Sequence, residues 1–323
     1  MSAIPRPATN PERVLVVRLC NWIGDVILSL PTLERLAAEG YSLQLYGKGW
    51  APSLLAAYPW PVTIRKGTLS ERVRQLKALR PAVGPASALA MPNSFSSALE
   101  LRLAGFSVAG YARDGRSLLL GQKLPRTQEP HAIQQFWQMG RHLNPGHGTW
   151  PAVPPNRIDF RVAPACQGRA DDIVAAHNLT SGFVCLVPFA TGTMRKQTKV
   201  WPHFKELAQR LASQGHRLIV CPGPGEEAIC QADYPQVLRL DNIDLGTYAA
   251  LLSRSRLVIA NDTGPGHMAA AVGAPLLSLL GPTAPEEWGA WGPQVHRLGG
   301  HMTWPTLEEV EAKIALMMSS HAT

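Results

Sequence analysis

The sequence predicts an α/β protein of two Rossmann-like domains in tandem, each with a parallel sheet, facing a central cleft. Three observations predict it. Short continuous apolar runs, the pattern of strands buried on both faces, alternate with helical patterns through most of the chain. A stretch crowded with Pro and Gly, Leu143 to Pro155, interrupts that alternation and reads as a linker. The 323 residues exceed one typical core and suit two domains of about 150 residues each, divided as 1–150 and 151–323.

The elements follow in order. Val14–Val17 is the first buried strand, and a turn through Asn21 to Gly24 leaves it. A helical pattern then runs from Asp25 to about Glu39 and stops at Gly40, a residue suited to the left-handed C-terminal position. Pro31 should start or kink the main part of that helix. Strands are expected at Leu43–Tyr46, Val62–Ile64 and Ala88–Met91, with helices at Ser70–Leu79 and Ser94–Ala104. Beyond the linker, strands are expected at Phe183–Val187, Arg217–Cys221, Leu257–Ala260 and Leu276–Leu280. The helices between and after them are Phe204–Ser213, Leu245–Leu252, Gly266–Val272 and Leu307–Met318.

Composition narrows the class. Hydrophobic residues at 46% and charged ones at 17% describe an ordinary globular chain rather than a disordered one. The net charge of +8 is unevenly placed: residues 1–150 carry 17 Lys and Arg against 8 Asp and Glu, residues 151–323 carry 14 against 15. The basic first half suits an anionic partner, whether nucleic acid, an acidic lipid head group or a phosphorylated glycan, or is simply a solvated surface. No aromatic-rich basic module supports nucleic acid. The five cysteines show no Cys-x-x-Cys spacing, so neither a disulfide framework nor a zinc site is expected, and a reducing cytoplasm is. The N-terminus has no apolar signal-peptide core, and the longest apolar stretch, around Met268 to Leu280, is too short to span a membrane.

Three segments lie where strands should end and helices begin. In Trp22-Ile-Gly-Asp25, Gly24 permits close backbone approach, while Asp25 at a helix N-terminus either caps that helix or serves as a general base for an acceptor hydroxyl. The run Thr191-Gly-Thr-Met-Arg-Lys-Gln-Thr-Lys199-Val-Trp-Pro202 carries three cations, Arg195, Lys196 and Lys199, able to hold phosphates or merely to sit in an exposed loop. In Asn261-Asp-Thr-Gly-Pro-Gly-His267, helix-start N–H groups, the Thr263 hydroxyl and His267 make a diphosphate cradle, or Asp262 or Thr263 just caps a tight turn. No Walker A loop, Gly-x-Ser-x-Gly elbow or Asp-x-Asp pair is present, which disfavours P-loop kinases, α/β-hydrolases and a metal-held diphosphate.

Taken in order, Asn21-Trp-Ile-Gly-Asp25, Lys199-Val-Trp-Pro202, Asn261-Asp-Thr-Gly-Pro-Gly-His267 and Leu280-Gly-Pro-Thr283 resemble glycosyltransferase family 9, the ADP-heptose:lipopolysaccharide heptosyltransferases. Met91-Pro-Asn-Ser-Phe-Ser-Ser-Ala98 and Trp22 are similar to the heptosyltransferase II branch. The resemblance implies a GT-B fold and an inverting transfer of heptose from ADP-heptose. It makes Asp25 the general base, and Lys199 the ligand of the donor diphosphate with Thr191 and Thr193 beside it. Asp262, Thr263, Gly264 and His267 join the donor side, and Trp22, Gly24 and Asn93 the acceptor side. The loop from Phe189 to Lys199 is longer than is usual in the family, so Arg195 or Lys196 can stand in for Lys199. The N-terminal domain would take the anionic lipopolysaccharide core and the C-terminal one the nucleotide sugar, with the last helix able to pack back on the former. No cofactor, metal or nucleic acid is implied. The location is cytoplasmic, with peripheral contact at the inner membrane surface. The alternatives are a same-fold transferase using another sugar or a protein acceptor, and a glycan- or nucleotide-binding protein without turnover.

Overall fold

The computed structural model describes residues 13–82, 84–113, 115–125, 127–143, 150–194 and 196–319. The chain divides into two compact units, Met1–Pro155 and Asn156–Thr323. Of the expected linker, residues 144–149 and the Pro and Gly among them lie outside the described residues.

In the N-terminal unit the elements are β1 (Val14–Arg18), α1 (Ile23–Ala38), β2 (Ser42–Gly47), α2 (Ala51–Leu54), β3 (Val62–Ile64), α3 (Leu69–Lys77), β4 (Ser87–Ala90), α4 (Phe95–Leu103), β5 (Ser107–Tyr111), a short 3-10 turn (Arg116–Leu119), β6 (Gln122–Leu124) and α5 (Ala132–Leu143). The strands pair in parallel in the order β3-β2-β1-β4-β5-β6. The C-terminal unit follows with α6 (Pro164–Ala176), β7 (Val184–Val187), the two-stranded hairpin β8 (Thr193–Met194) and β9 (Gln197–Thr198), α7 (Phe204–Ser213), β10 (Leu218–Val220), α8 (Glu227–Asp233), β11 (Leu238–Arg239), α9 (Leu245–Arg254), β12 (Leu257–Asn261), α10 (Gly264–Ala271), β13 (Leu276–Leu280), α11 (Pro285–Trp288), β14 (Val295–Gly299) and α12 (Leu307–Ser319). Its main sheet is again parallel, in the order β11-β10-β7-β12-β13-β14. Counted within its own unit, each sheet therefore runs 3-2-1-4-5-6, the doubly wound dinucleotide-binding order.

Packing explains why these sequences form strands. Every residue of β7, β12 and β13 is buried, because helices cover both faces, and the polar exceptions in these apolar runs are Ser278 and the terminal Asn261. Phe204, Leu207 and Leu211 of α7 and Val310, Ile314 and Met317 of α12 fill one side of the C-terminal sheet. Each such buried apolar side chain contributes about 1.5–3 kcal/mol. In the N-terminal unit, Leu76 of α3 and Ala98 and Leu101 of α4 close over Val16, Ala88 and Val108.

The boundaries differ from expectation where helix starts are concerned. Helix α1 begins at Ile23, with Trp22 at the N-cap in extended conformation, so Asp25 sits inside the first turn rather than capping it. The helix continues through Pro31 instead of starting there, and it ends at Gly40 (φ +89°), whose neighbour Tyr41 donates back to Leu36. Strands β5, β6, β11 and β14 and helices α2, α5, α6, α8 and α11 were not anticipated; β6 and β11, only three and two residues long, are too short, and α6 is too exposed, to leave a clear periodic signal. In α5 the signal was present, with Ile133, Phe136, Trp137 and Gly140 on one buried face.

Candidate active site

In open parallel sheets of this order, loops leave the first and fourth strands in opposite directions, and the carboxyl ends of those two strands frame a crevice. Each unit has one such point. In the C-terminal unit the loops leave β7 and β12, and they carry Thr191 to Lys199 and Asp262 to His267. In the N-terminal unit they leave β1 and β4, and they carry Asn21 to Asp25 and Met91 to Ser94. All the residues expected to carry chemistry thus fall on these four loops or the helix turns that follow them.

At the C-terminal point Asp262 is the hub. It is buried, 6% exposed, and accepts 2.7 Å from the Thr283 hydroxyl, while Lys199 Nζ lies 2.6 Å from Oδ2 and His267 Nε2 lies 3.5 Å from Oδ1. Burial alone would raise the Asp262 carboxyl, but the His267 bond and the Lys199 ammonium outweigh it and hold it well below the usual carboxylate range. Among the described residues, the buried His267 Nδ1 has no hydrogen-bond partner. Helix α10 starts beside this group. Thr263 is its N-cap but makes no side-chain cap, and its hydroxyl turns to the Asn261 carbonyl at 3.3 Å. Neither Asp262 nor Thr263 therefore caps the helix with its side chain, although Thr263 holds the N-cap position, and the first turn keeps N–H groups for an anion. Gly266 suits this closeness, since a Cβ there would crowd the Asn261 carbonyl at 3.2 Å.

Asn261, wholly buried at the end of β12, ties the loop ends together. Its Oδ1 accepts 2.9 Å from the Trp201 N–H and its Nδ2 donates 2.7 Å to the Pro188 carbonyl. The segment between Pro188 and Trp201 is thus clamped at both ends, and it folds as the β8–β9 hairpin rather than an irregular loop. Of its three cations, Arg195 lies outside the described residues. Lys196 is exposed with φ +66°, and Lys199 is half-buried against Asp262. Thr191 and Thr193 are exposed.

At the N-terminal point Asp25 is half-buried in the first turn of α1, where the helix dipole favours a carboxylate, and Gly24 is buried beside it. Trp22 is exposed, with Lys48 Nζ over its ring at 5.5 Å. Asn93 accepts 3.2 Å from Arg116 Nη2. Beneath both loops lies a charge network that sequence reading missed. Glu100, fully buried on α4, receives Arg18 Nε at 2.8 Å, Arg65 Nε at 3.1 Å and Arg72 Nη1 at 3.5 Å. The signal available in sequence was a glutamate set between the apolar Leu99 and Leu101 of a helical stretch, and an arginine ending an apolar strand.

Among the described residues, no group of three His, Cys, Asp or Glu side chains gathers to hold a metal ion, and no helix is long and apolar enough to cross a membrane. All five cysteines are free thiols.

The chain as a whole is similar to known proteins. The profile of glycosyltransferase family 9 (heptosyltransferase) matches residues 78–315. Lipooligosaccharide heptosyltransferase 2 of Haemophilus influenzae is 26% identical over 291 residues, covering 82% of each chain. Lipopolysaccharide heptosyltransferase 2 of Escherichia coli K12 is 24% identical over 289 residues, again covering 82% of each. The solved E. coli ADP-heptose lps heptosyltransferase II superimposes with a TM-score of 0.76 at 20% identity, covering 96% of this chain and 100% of that one. The E. coli heptosyltransferase WaaC with ADP gives 0.71 at 20% identity, covering 94% and 99%. Those likenesses establish the GT-B heptosyltransferase fold, and with the family match over most of the chain they make this protein a heptosyl-transferring member of glycosyltransferase family 9.

Proposed function

We propose that the protein transfers heptose from ADP-heptose to the inner core of lipopolysaccharide by a single inverting displacement. The observation that carries this reading is the ready-made cluster of Lys199, Asp262 and His267 at the uncapped start of α10. Lys199, oriented by Asp262, would meet the donor diphosphate and offset the charge that grows on departing ADP. The first-turn N–H groups of Gly264 and Gly266 and the Thr263 hydroxyl would take phosphate oxygens. Asp262 itself is already engaged by three side chains, so its part is to orient Lys199 and His267 rather than to touch phosphate.

On the acceptor side, Asp25 would remove the hydroxyl proton as that oxygen bonds to the anomeric carbon of heptose. The bond from that carbon to the diphosphate breaks, and ADP leaves. Trp22, with Lys48 beside it, offers an apolar face and a cation to an anionic sugar chain. The relatives' names point to the same donor and acceptor: one solved neighbour holds ADP, and another, of WaaC, holds ADP-2-deoxy-2-fluoro heptose. A location in the cytoplasm, with peripheral contact at an anionic membrane surface through the basic N-terminal unit, completes the proposal.

The test is ADP release from ADP-heptose with a heptosylated, Kdo-bearing lipid A acceptor, wild type beside Asp25→Asn. Release that requires the acceptor and falls by about 10³-fold or more in the variant supports the reaction and its base. Acceptor-dependent release that survives the substitution removes Asp25 from the role. No release, with ADP still binding, redirects the reading to another sugar or acceptor.

A further inference from the structure

We infer that Arg18 and Arg116 are positioning residues, two wholly buried guanidinium groups that together hold the loops flanking the N-terminal switch point and so set the place of Asp25. This inference rests on the reading of Asp25 as the general base.

The two arginines are 2% and 0% exposed. Removing a guanidinium from water costs several kcal/mol, which is offset only where its donors are well met. Both are met in the same way. Arg18 anchors Nε on Glu100 Oε1 at 2.8 Å, gives Nη1 to the Leu19 carbonyl and gives Nη2 to Asn21 Oδ1 at 2.9 Å. Arg116 anchors Nε on the Tyr111 carbonyl at 2.7 Å, gives Nη1 to the Pro92 carbonyl and gives Nη2 to Asn93 Oδ1 at 3.2 Å. Each fork therefore grips the scaffold with one nitrogen. With the other two it grips one main-chain carbonyl and one asparagine amide of a loop. One loop runs from β1 into α1, whose third residue is Asp25, and the other runs from β4 into α4.

Only a planar, five-donor group can do this. A lysine placed there keeps the charge and loses the fork. The bonds also engage Oδ1 of both asparagines, which sets the orientation of each amide. The two arginines and Asp25 share one neighbourhood. The buried Cys20 thiol is pushed well above its ordinary value by burial and then by Asp25, against the pull of Arg18 and Arg116. Asn93, expected from sequence to face the acceptor, thus has a second task as the handle by which Arg116 holds its loop.

The experiment compares Arg18→Lys and Arg116→Lys with wild type in steady-state transfer across pH, with cooperative thermal unfolding as the check on folding. Misplacing a reacting group by about 1 Å costs about 10²-fold, so a kcat loss of about 10-fold or more is expected, with the KM for the donor changed less than about 3-fold. The acidic limb of the kcat profile, which reports the base, should also move in both variants. A merely structural loss of active molecules would scale that profile without moving it. If either lysine variant fails to fold, Asn21→Ala and Asn93→Ala remove the loop's handle and leave the guanidinium its other partners. They are expected to give a smaller kcat loss with the same displaced limb. Folded variants that keep wild-type kcat, or whose profile is scaled but unmoved, overturn the inference. Asp25→Asn with both arginines intact tests the base by itself, so failure of that reading is told apart from failure of this one.

Discussion

Replacing Asp262 by asparagine keeps the shape of the hub and removes its charge. Three side chains converge on that carboxylate: Lys199 at 2.6 Å, the Thr283 hydroxyl at 2.7 Å and His267 at 3.5 Å. Breaking a buried pair costs about 3–5 kcal/mol because the surviving charge is left uncompensated. Lys199 is 20% exposed and can swing its ammonium toward water, which argues for the lower end, about 3 kcal/mol. For a unit of this size, where 1 kcal/mol moves Tm by about 2–4 °C, the melting point at pH 7 should fall by about 6–12 °C. The pH dependence follows from the depressed carboxyl. A carboxyl lower in the folded than in the unfolded chain adds stability that is complete above the unfolded value, about pH 4, and is lost as pH falls toward the folded one. The asparagine has no such titration. The gap in Tm between wild type and variant should therefore be constant from pH 7 to 5 and narrow below about pH 4. Thermal unfolding followed by far-ultraviolet circular dichroism measures both. A gap under about 2 °C at pH 7, or one that stays flat or widens toward pH 3, would refute the assignment of Asp262 as an ionised hub.

Three further outcomes are expected. Glu100→Gln removes the carboxylate that Arg18, Arg65 and Arg72 share, and it should lower the stability of the N-terminal unit by about 3–5 kcal/mol, read as a lower urea midpoint. Gly281→Ala sets a Cβ into the Trp304 indole beneath the turn that carries Thr283, and it should cost about 1–3 kcal/mol by the same assay. Lys199→Gln should lower acceptor-dependent ADP release by about 10²-fold or more, whereas Lys196→Gln, at the exposed hairpin, should change it less than about 3-fold.

Much of the site was legible because its residues fall at strand ends, where apolar runs stop and Gly, Asp or Asn begins. Gly24 and Asp25 follow β1, and Asp262 to His267 follow β12, so the run of hydrophobicity itself pointed to the loops. Three things were not legible. The start of α1 at Ile23 was missed because Trp22 caps it by backbone conformation alone, with no Ser, Thr, Asp or Asn to announce it. The hairpin between β7 and α7 was read as a loop because its strands are two residues long and its shape is imposed by Asn261 from another strand. The arginine forks were missed because a charged residue in an apolar run shows only that a partner must exist.

The sequence by itself determined the class of fold, the two parallel sheets and three of the four candidate loops, since those depend on local periodicity and on the residues that end it; the loop after β4 was marked only by its family resemblance. The tertiary structure alone decided which residue meets which. Lys199 rather than Lys196 pairs with Asp262, which lies 63 positions on; Arg18 reaches Glu100 across 82 positions; and Arg116 reaches back 24 to the Pro92 carbonyl. Those pairings follow from strand order, and strand order is set by burying all the apolar surface at once, a condition no local stretch of sequence contains.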